Sequence, residues 1–229
     1  FDPLARTCQF MLTEEAHHMY VGETGITRVI QKTCETMRSK KTDNVRKYGI
    51  IDLPTLQKYV NFHFSVSLDL FGSEQSTNAA NYFTQGLKGR YQETRIKDDH
   101  KLESDSYTIT TVENGNFKKS EVSALSAVNE RLRDDYIADC QRGVDRWNKV
   151  IKDSGIPFEI QLPHKAFNRQ IGNFSEEKVS PSGSVLSPKI WDQQRDEWLP
   201  NDEDHEYIQS LMTQVGQPGR YADWIAPPR

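Results

Sequence analysis

The sequence predicts a mainly α-helical protein with one small β-hairpin and an irregular, proline-rich carboxyl-terminal tail. Apolar residues recur at helical spacing through much of the chain, and one Asn-Gly dipeptide separates two short alternating stretches. Eight of the ten prolines fall at or after Pro157, where they interrupt every longer candidate element. The chain has 229 residues, 35% of them hydrophobic, and can therefore bury a core.

Two helices are expected first. Periodic apolar positions from Leu4 to Met37 predict a long amino-terminal helix. Asp52 and Pro54 then provide an N-cap and a first-turn proline for a second helix. That second helix should stop at Gly72, because glycine readily takes the backbone conformation that ends a helix.

A charged stretch and a hairpin follow. A shorter third helix is predicted at residues 76–88, and the highly charged residues 91–105 are expected to form an exposed connection. Asn114-Gly115 is typical of a type I′ turn, so it should join strands at 107–112 and 116–122.

The second half of the chain begins with a long helix. An apolar stripe predicts this helix at residues 122–153, with Gly155 as its carboxyl-terminal stop. Beyond it we expect a short strand at 158–162 and small helices after Ser187 and Asn201. The tail should wrap around the helices rather than form its own core.

We therefore expect a single domain built from four consecutive segments. Because the chain enters a helical pattern within a few residues and has no initiator Met, we interpret it as incomplete at its amino terminus. The segments are a helical part with the candidate site, a charged connection with the hairpin, the long helix, and the wrapping tail: residues 1–90, 91–121, 122–155 and 156–229.

Composition excludes several classes of protein. A net charge of −4 and a pI near 5.9 argue against a broad surface for nucleic acid or acidic lipid. No apolar run reaches the roughly 20 residues that cross a bilayer. Cys8, Cys34 and Cys140 are odd in number and lack Cys-x-x-Cys spacing, which favours reduced thiols and a cytoplasmic location.

The stretch Thr13–His18 carries the most readable chemistry. It contains two overlapping Glu-x-x-His registers, Glu14 with His17 and Glu15 with His18. A helix turns about 100° per residue, which places Glu15 in the middle of the apolar stripe with His18 beside it. Glu14 falls on the flank and His17 near the far side. The sequence therefore predicts that Glu15 and His18 are buried together.

A buried carboxylate needs a compensating group, because desolvating an unpaired charge is costly. One solution is a metal ion, since an oxygen and a nitrogen ligand of this kind suit iron or manganese. The other is an Arg or Lys from a neighbouring helix. Ferritin-like di-metal bundles take one Glu from each of two helices and a Glu-x-x-His from each of two others. Glu15 and His18 would be half of such a site.

Three further groups of polar residues admit both a functional and a structural interpretation. His63 lies on an apolar stripe, where it could support a metal ligand or simply be a hydrogen-bonded core histidine. Asn78, Asn81 and Lys88 share one side of the predicted third helix and could bind a polar, phosphate-bearing substrate or face water. The alternating charges on the long helix predict a solvent or interface side: Arg131, Arg133, Asp134, Asp135, Asp139, Arg142, Asp145 and Arg146.

Several stretches of the chain resemble the carboxyl-terminal half of the benzoyl-CoA 2,3-epoxidase family. The resemblance runs along nearly the whole chain, from the first helix to the tail. It is carried by Phe1–Cys8, Phe10–His18, Ile51–Lys58, Gly86–Arg90, Asn129–Asp135, Gly143–Trp147 and Trp224–Pro227.

The resemblance implies a class I di-iron oxygenase with a ferritin-like fold, which epoxidises the aromatic ring of benzoyl-CoA with O2. Electrons would come from NADPH through a separate flavin and iron-sulfur reductase. Glu15 and His18 match the family's second Glu-x-x-His motif, and the remaining ligands of the two irons would lie outside this sequence. Two alternatives stay open: a metal-free helical scaffold or assembly subunit of an oxygenase, and a related phenylacetyl-CoA epoxidase.

Overall fold

The computed structural model describes residues 2–76 and 105–228 and confirms the mainly α-helical fold with one antiparallel hairpin. In chain order the described elements are α1 Asp2–Lys40, α2 Leu53–Asp69, β1 Ser106–Glu113, β2 Asn116–Ser123, α3 Val128–Asp153, α4 Pro188–Trp198 and α5 Asp202–Ser210. None of the helices in these two ranges is long and apolar enough to cross a membrane.

The first helix is confirmed and extends slightly beyond its predicted ends. Beyond the last residue of α1, Lys41 has a φ of 51°, in the left-handed region. The N–H of Thr42 then donates to the Met37 carbonyl at 3.2 Å, which closes the end of the helix. A short 3₁₀ turn, Arg46–Tyr48, leads toward α2.

Asp52 caps α2 as predicted. Its Oδ1 accepts a hydrogen bond from the N–H of Thr55 at 2.8 Å, which satisfies one of the free donors of the first turn. At the other end, the N–H of Gly72 donates to the Asp69 carbonyl at 3.0 Å, with φ at 79°. The predicted third helix and most of the charged connection lie outside the described residues.

The hairpin is confirmed and decides where α3 begins. Asn114 and Gly115 have φ of 51° and 75°, as a type I′ turn requires, and Glu113 pairs with Asn116. Strand β2 continues to Ser123, and residues 124–127 form turns. The predicted start of the long helix at residue 122 is therefore wrong, because those residues complete the strand and a turn.

The predicted strand at residues 158–162 is also wrong. The N–H of Ile160 donates to Asn148 Oδ1 and its carbonyl accepts from Asn148 Nδ2, both at 2.8 Å. A side chain of α3 thus takes the place of a partner strand. The two small helices of the tail are confirmed, with Ser187 and Asn201 as N-caps.

The chain divides into two compact units. Unit 1 contains Phe1–Gln57, Arg142–Gln161 and Asn201–Arg229, and unit 2 contains Lys58–Gln141 and Leu162–Pro200. Buried side chains of unit 1 include Ile30, Cys34, Val45, Ile50, Leu53, Val144 and Ile151. Buried side chains of unit 2 include Phe64, Leu68, Ile109, Ala166, Phe167, Phe174 and Trp191.

Arg46 organises polar contacts within unit 1. Its guanidinium donates to Asp52, Thr55 and Asp204, and it lies over the Tyr207 ring with Cζ 4.8 Å from the centroid. These contacts tie the connection after α1 to the start of α2 and to α5. Desolvation opposes the charge of Arg46, but its two carboxylate partners outweigh this effect and raise its pKa.

Candidate metal-binding pair and a buried charge cluster

Glu15 and His18 lie one turn apart on α1, as the spacing predicted. Glu15 Oε1 and His18 Nδ1 are 3.5 Å apart, and each side chain is 62% exposed. The predicted burial of this pair is wrong for the described chain, because residues 3–22 are exposed on every side of the helix. Burial begins only further along α1, with Val29, Ile30, Thr33 and Cys34.

The geometry of the pair suits two ligands of one metal ion. Ligands about 2.1 Å from a tetrahedral metal lie roughly 3.4 Å from each other, and the observed separation is close to that. Within residues 2–76 and 105–228, however, no three His, Cys, Asp or Glu side chains converge on a point that could hold a metal. Glu15 and His18 can therefore supply part of a site and not the whole of one.

The alternative register is equally exposed. Glu14 and His17 also face solvent, and the rings of His17 and His18 are 6.4 Å apart. Exposure therefore does not separate the two registers, and the choice of Glu15 and His18 still depends on the apolar stripe and on the family resemblance. Apart from its chain neighbours and the nearby backbone of α1, no atom of the described chain lies within 4 Å of the position of a Cβ on Gly22, so the surface beyond the pair is open there.

The predicted placement of His63 on a buried stripe is wrong. The buried positions of α2 beside it are Asn61, Phe64, Ser65 and Leu68, whereas His63 is exposed. Its ring stacks on the Tyr59 ring, with 6.2 Å between the two ring centroids. His63 belongs to unit 2 and Glu15 to unit 1.

The other predicted substrate contacts, Asn78, Asn81 and Lys88, lie outside the described residues. Their role as contacts of a phosphate-bearing substrate stays a prediction.

Unit 2 contains a buried charge cluster that sequence reasoning missed, consisting of Glu74, Glu130, Arg133 and Arg169. All four side chains are almost completely inaccessible to solvent. The expectation that the charges of the long helix lie on a solvent or interface side is therefore wrong for Arg133, which is buried within unit 2. The available signal was the i,i+3 spacing of Glu130 and Arg133, which brings two side chains together on a helix.

Glu130 is held by two cations. Its Oε2 accepts from Arg133 Nη1, and its Oε1 accepts from Lys165 Nζ at 2.6 Å. Arg133 also donates to the backbone carbonyls of Leu68 and Gly72. These contacts supply the partners that a buried carboxylate and a buried guanidinium both need.

Glu74 completes the cluster. Its Oε2 accepts from the N–H of Asn173 at 2.6 Å, while its Oε1 has no hydrogen bond and lies 3.5 Å from the Nη1 atoms of both Arg133 and Arg169. Arg169 in turn donates through Nε to Asp69 Oδ1 at 2.5 Å. The charge of Glu74 is thus compensated mainly through space by two guanidinium groups.

Asp134 and Tyr107 extend these contacts toward the hairpin. Lys165 Nζ donates to Asp134 Oδ1 at 2.9 Å, and the Tyr107 hydroxyl donates to Asp134 Oδ2 at 2.7 Å. Burial, together with the hydrogen bond to the Asp134 carboxylate, raises the pKa of Tyr107. This hydroxyl therefore stays protonated and serves as a structural donor.

The fold and the pair on α1 define a mainly helical protein with two candidate metal ligands one turn apart. No protein-family model matches the chain. The chain is 54% identical over 231 residues to benzoyl-CoA oxygenase component B of Aromatoleum evansii, which confirms the resemblance inferred from the sequence. The match covers 100% of this chain and 49% of that protein, so the chain spans about half the length of this curated relative.

Proposed function

We propose that the chain is part of the oxygenase component of a system that epoxidises the ring of benzoyl-CoA with O2. The observation that carries this proposal is the 54% identity along the whole chain to a benzoyl-CoA oxygenase component. Electrons would come from NADPH through a separate flavin and iron-sulfur reductase. The name component B of the relative agrees with a system of several proteins.

Glu15 and His18 would be ligands of a di-iron centre. Their donor types suit iron and they lie one turn apart with 3.5 Å between Oε1 and Nδ1, and the remaining ligands would come from the part of the relative's length that this chain does not span. When bound, the two irons would supply the electrons and the open coordination positions that O2 activation requires.

The surroundings of the pair would prepare the site for that chemistry. Met11, Leu12 and Met19 are exposed apolar side chains within about two turns of Glu15. Once covered, these side chains would exclude water from Glu15 and His18, which strengthens the attraction between a carboxylate and a cation. The neutral form of His18 would be the ligand, because a protonated imidazole has no free lone pair.

The overlapping registers allow a closely matched experiment. In the full-length protein, Glu15→Gln and His18→Ala should each sharply reduce an iron content of about two atoms per chain. Glu14→Gln and His17→Ala change the same residue types one position earlier on the same exposed helix, and they should leave iron bound. Metal analysis and the visible absorption spectrum give the readout.

Opposite outcomes would be informative. If the folded wild-type protein carries no iron under reducing, iron-replete conditions, the metal-free scaffold is correct. Iron loss in Glu14→Gln instead of Glu15→Gln would show that the apolar stripe selected the wrong register.

The substrate is tested by turnover. With NADPH and the reductase, O2 consumption should be coupled to benzoyl-CoA, with phenylacetyl-CoA turned over much more slowly. The reverse preference would support the phenylacetyl-CoA alternative.

A further inference from the structure

We propose that a basic surface at the carboxyl end of α1 docks a carboxylate-rich face of the electron-donating component. This basic surface consists of Arg38, Lys40, Lys41, Lys47 and Tyr48, all in unit 1. The proposal rests on the proposed function, which requires a separate protein to deliver electrons.

The first support is local charge. Residues 38–47 contain five basic side chains and one acidic side chain, Asp43, although the whole chain has a net charge of −4. Arg46 is engaged by Asp52 and Asp204. The four remaining cations are exposed, and within the described part of the chain none has a carboxylate partner. Their charge is therefore available to an outside acceptor.

The second support is the arrangement of two lysines around an aromatic ring. The Nζ atoms of Lys40 and Lys47 lie 5.4 and 5.1 Å from the centroid of Tyr48, which is 42% exposed. Such contacts orient an ammonium group without neutralising it. Tyrosine is also enriched at protein interfaces, where its ring packs and its hydroxyl forms hydrogen bonds. By contrast, the exposed Lys118 is paired with Glu113.

Helix electrostatics account for only part of this surface. Basic residues in the last turn of a helix interact favourably with its macrodipole, which explains Arg38 and Lys40. Lys41 and Lys47 follow the helix and gain less from it. Lys41 even occupies a position with φ of 51°, which glycine would adopt with less strain. The positive charge thus extends beyond what the helix end requires.

The third support is an adjoining cleft with a largely apolar wall. This cavity of about 390 Å³ lies within unit 1, and Met37 and Arg46 line it immediately before Arg38 and Lys47 in the sequence. Its apolar walls include Val45, Leu53 and Phe158. Protein interfaces combine an apolar centre with a charged rim. The cleft would receive an apolar side chain of the partner while the basic surface pairs with its carboxylates.

The experiment reverses the charge of this surface and of a matched one. Full-length K40E/K41E/K47E is compared with K118E/K119E/K189E, which changes the same number of exposed lysines in unit 2. Affinity for the purified reductase is measured at low and high salt by surface plasmon resonance, together with the KM for reductase in benzoyl-CoA turnover. Circular dichroism and iron content check that both variants are folded and loaded.

The first variant should weaken reductase binding about tenfold or more at low salt and flatten its salt dependence, since rim charges mainly set long-range attraction. The kcat at saturating reductase should stay near that of the wild type. The control variant should bind like the wild type. Unchanged affinity and salt dependence in K40E/K41E/K47E, or equal losses of reductase binding in both variants, would overturn the proposal.

Failure of the docking proposal and failure of the proposed function are distinguishable. A protein with reductase-dependent turnover whose first variant binds reductase normally contradicts docking alone. A protein without iron or turnover contradicts the proposed function. In that case the basic surface would still be supported as a docking site if the wild-type protein binds reductase and K40E/K41E/K47E binds it more weakly. If the wild-type protein does not bind reductase, the docking proposal is refuted.

Discussion

Glu15 and Glu130 both lie on long helices, three residues before a basic side chain, yet the first is exposed and the second is buried. Glu15 and His18 are each 62% exposed with 3.5 Å between Oε1 and Nδ1. Glu130 and Arg133 are fully buried, and their partners include Lys165 and the Leu68 carbonyl.

The difference shows what an i,i+3 pair can mean. Inside unit 2 the guanidinium groups of Arg133 and Arg169 compensate the carboxylates, and no metal is needed for charge balance there. Around Glu15 and His18 the described chain supplies neither a covering element nor a third ligand. A carboxylate that is paired with cations inside the fold has a structural role. A carboxylate that is not paired in this way can bind a metal ion from outside the chain.

The largest expected effect is at Arg133. We expect Arg133→Met to lower the free energy of unfolding by about 3–5 kcal/mol, because it leaves the buried carboxylates of Glu130 and Glu74 short of a cation. Urea unfolding measures the change. Arg195→Met, at an exposed arginine beside Asp196, should stay within about 0.5 kcal/mol of the wild type. Equal effects would show that the cluster is not tightly buried in solution.

Gly172 tests how closely the cluster is packed, and Gly143 provides a comparison at an open position. Gly172 has a φ of 87°, and a Cβ there would overlap the Glu74 carboxylate. Gly172→Ala should therefore destabilise the protein by about 1–3 kcal/mol. Gly143 lies within α3 with open space around it, so Gly143→Ala should stabilise by about 0.5–1 kcal/mol. Thermal and urea unfolding of the two variants should shift in opposite directions.

A third prediction concerns pH. Burial, assisted by the charge of Lys165, lowers the pKa of His164, whose Nδ1 accepts a hydrogen bond from the N–H of Ala166 at 3.1 Å. The unfolded chain therefore binds more protons near the ordinary histidine pKa. The stabilising contribution of neutral His164 is complete above about pH 6.5 and is lost as pH falls through the lower pKa of the folded state.

His164→Asn keeps an acceptor but does not titrate. The free energy of unfolding of the wild type should fall more steeply than that of this variant as pH is lowered from neutral into the acidic range. Parallel curves for the two proteins would contradict the assignment.

The smallest effect is expected at Glu15. In the metal-free 229-residue chain, Glu15→Gln should change the free energy of unfolding by less than about 0.5 kcal/mol, because both members of the pair are solvated. Chemical denaturation in the presence of a chelator measures this. A loss as large as that of Arg133→Met would show that Glu15 is buried in solution and would remove the contrast between the two pairs.

Local signals predicted most of the elements. Helical periodicity gave α1 and α3, Asp52 and Asn201 marked helix starts, and Asn114-Gly115 marked the hairpin. These features depend on residues close together in the chain. The errors came from distant partners. The side-chain amide of Asn148 hydrogen-bonds with both the N–H and the carbonyl of Ile160, so the strand expected there does not form.

The candidate site was predictable to a similar extent. Spacing identified Glu15 and His18 and placed them one turn apart. Sequence motifs distributed along the chain indicated the family resemblance. Neither spacing nor periodicity could show that Glu130 and Arg133 are buried, because their partners include Glu74 and Lys165 from remote parts of the sequence.

The sequence by itself therefore determined the helices, the turn, the caps and the face on which Glu15 lies, because backbone preference and side-chain periodicity act over a few residues. Only the tertiary structure decided which faces are covered. In α1 an apolar pattern of one period runs through residues 4–37, yet Ile30 and Cys34 are buried while Leu4 and Met19 are exposed. Periodicity indicates which side of a helix favours burial. That side is buried only where another surface packs against it, and tertiary packing decides whether such a surface is present.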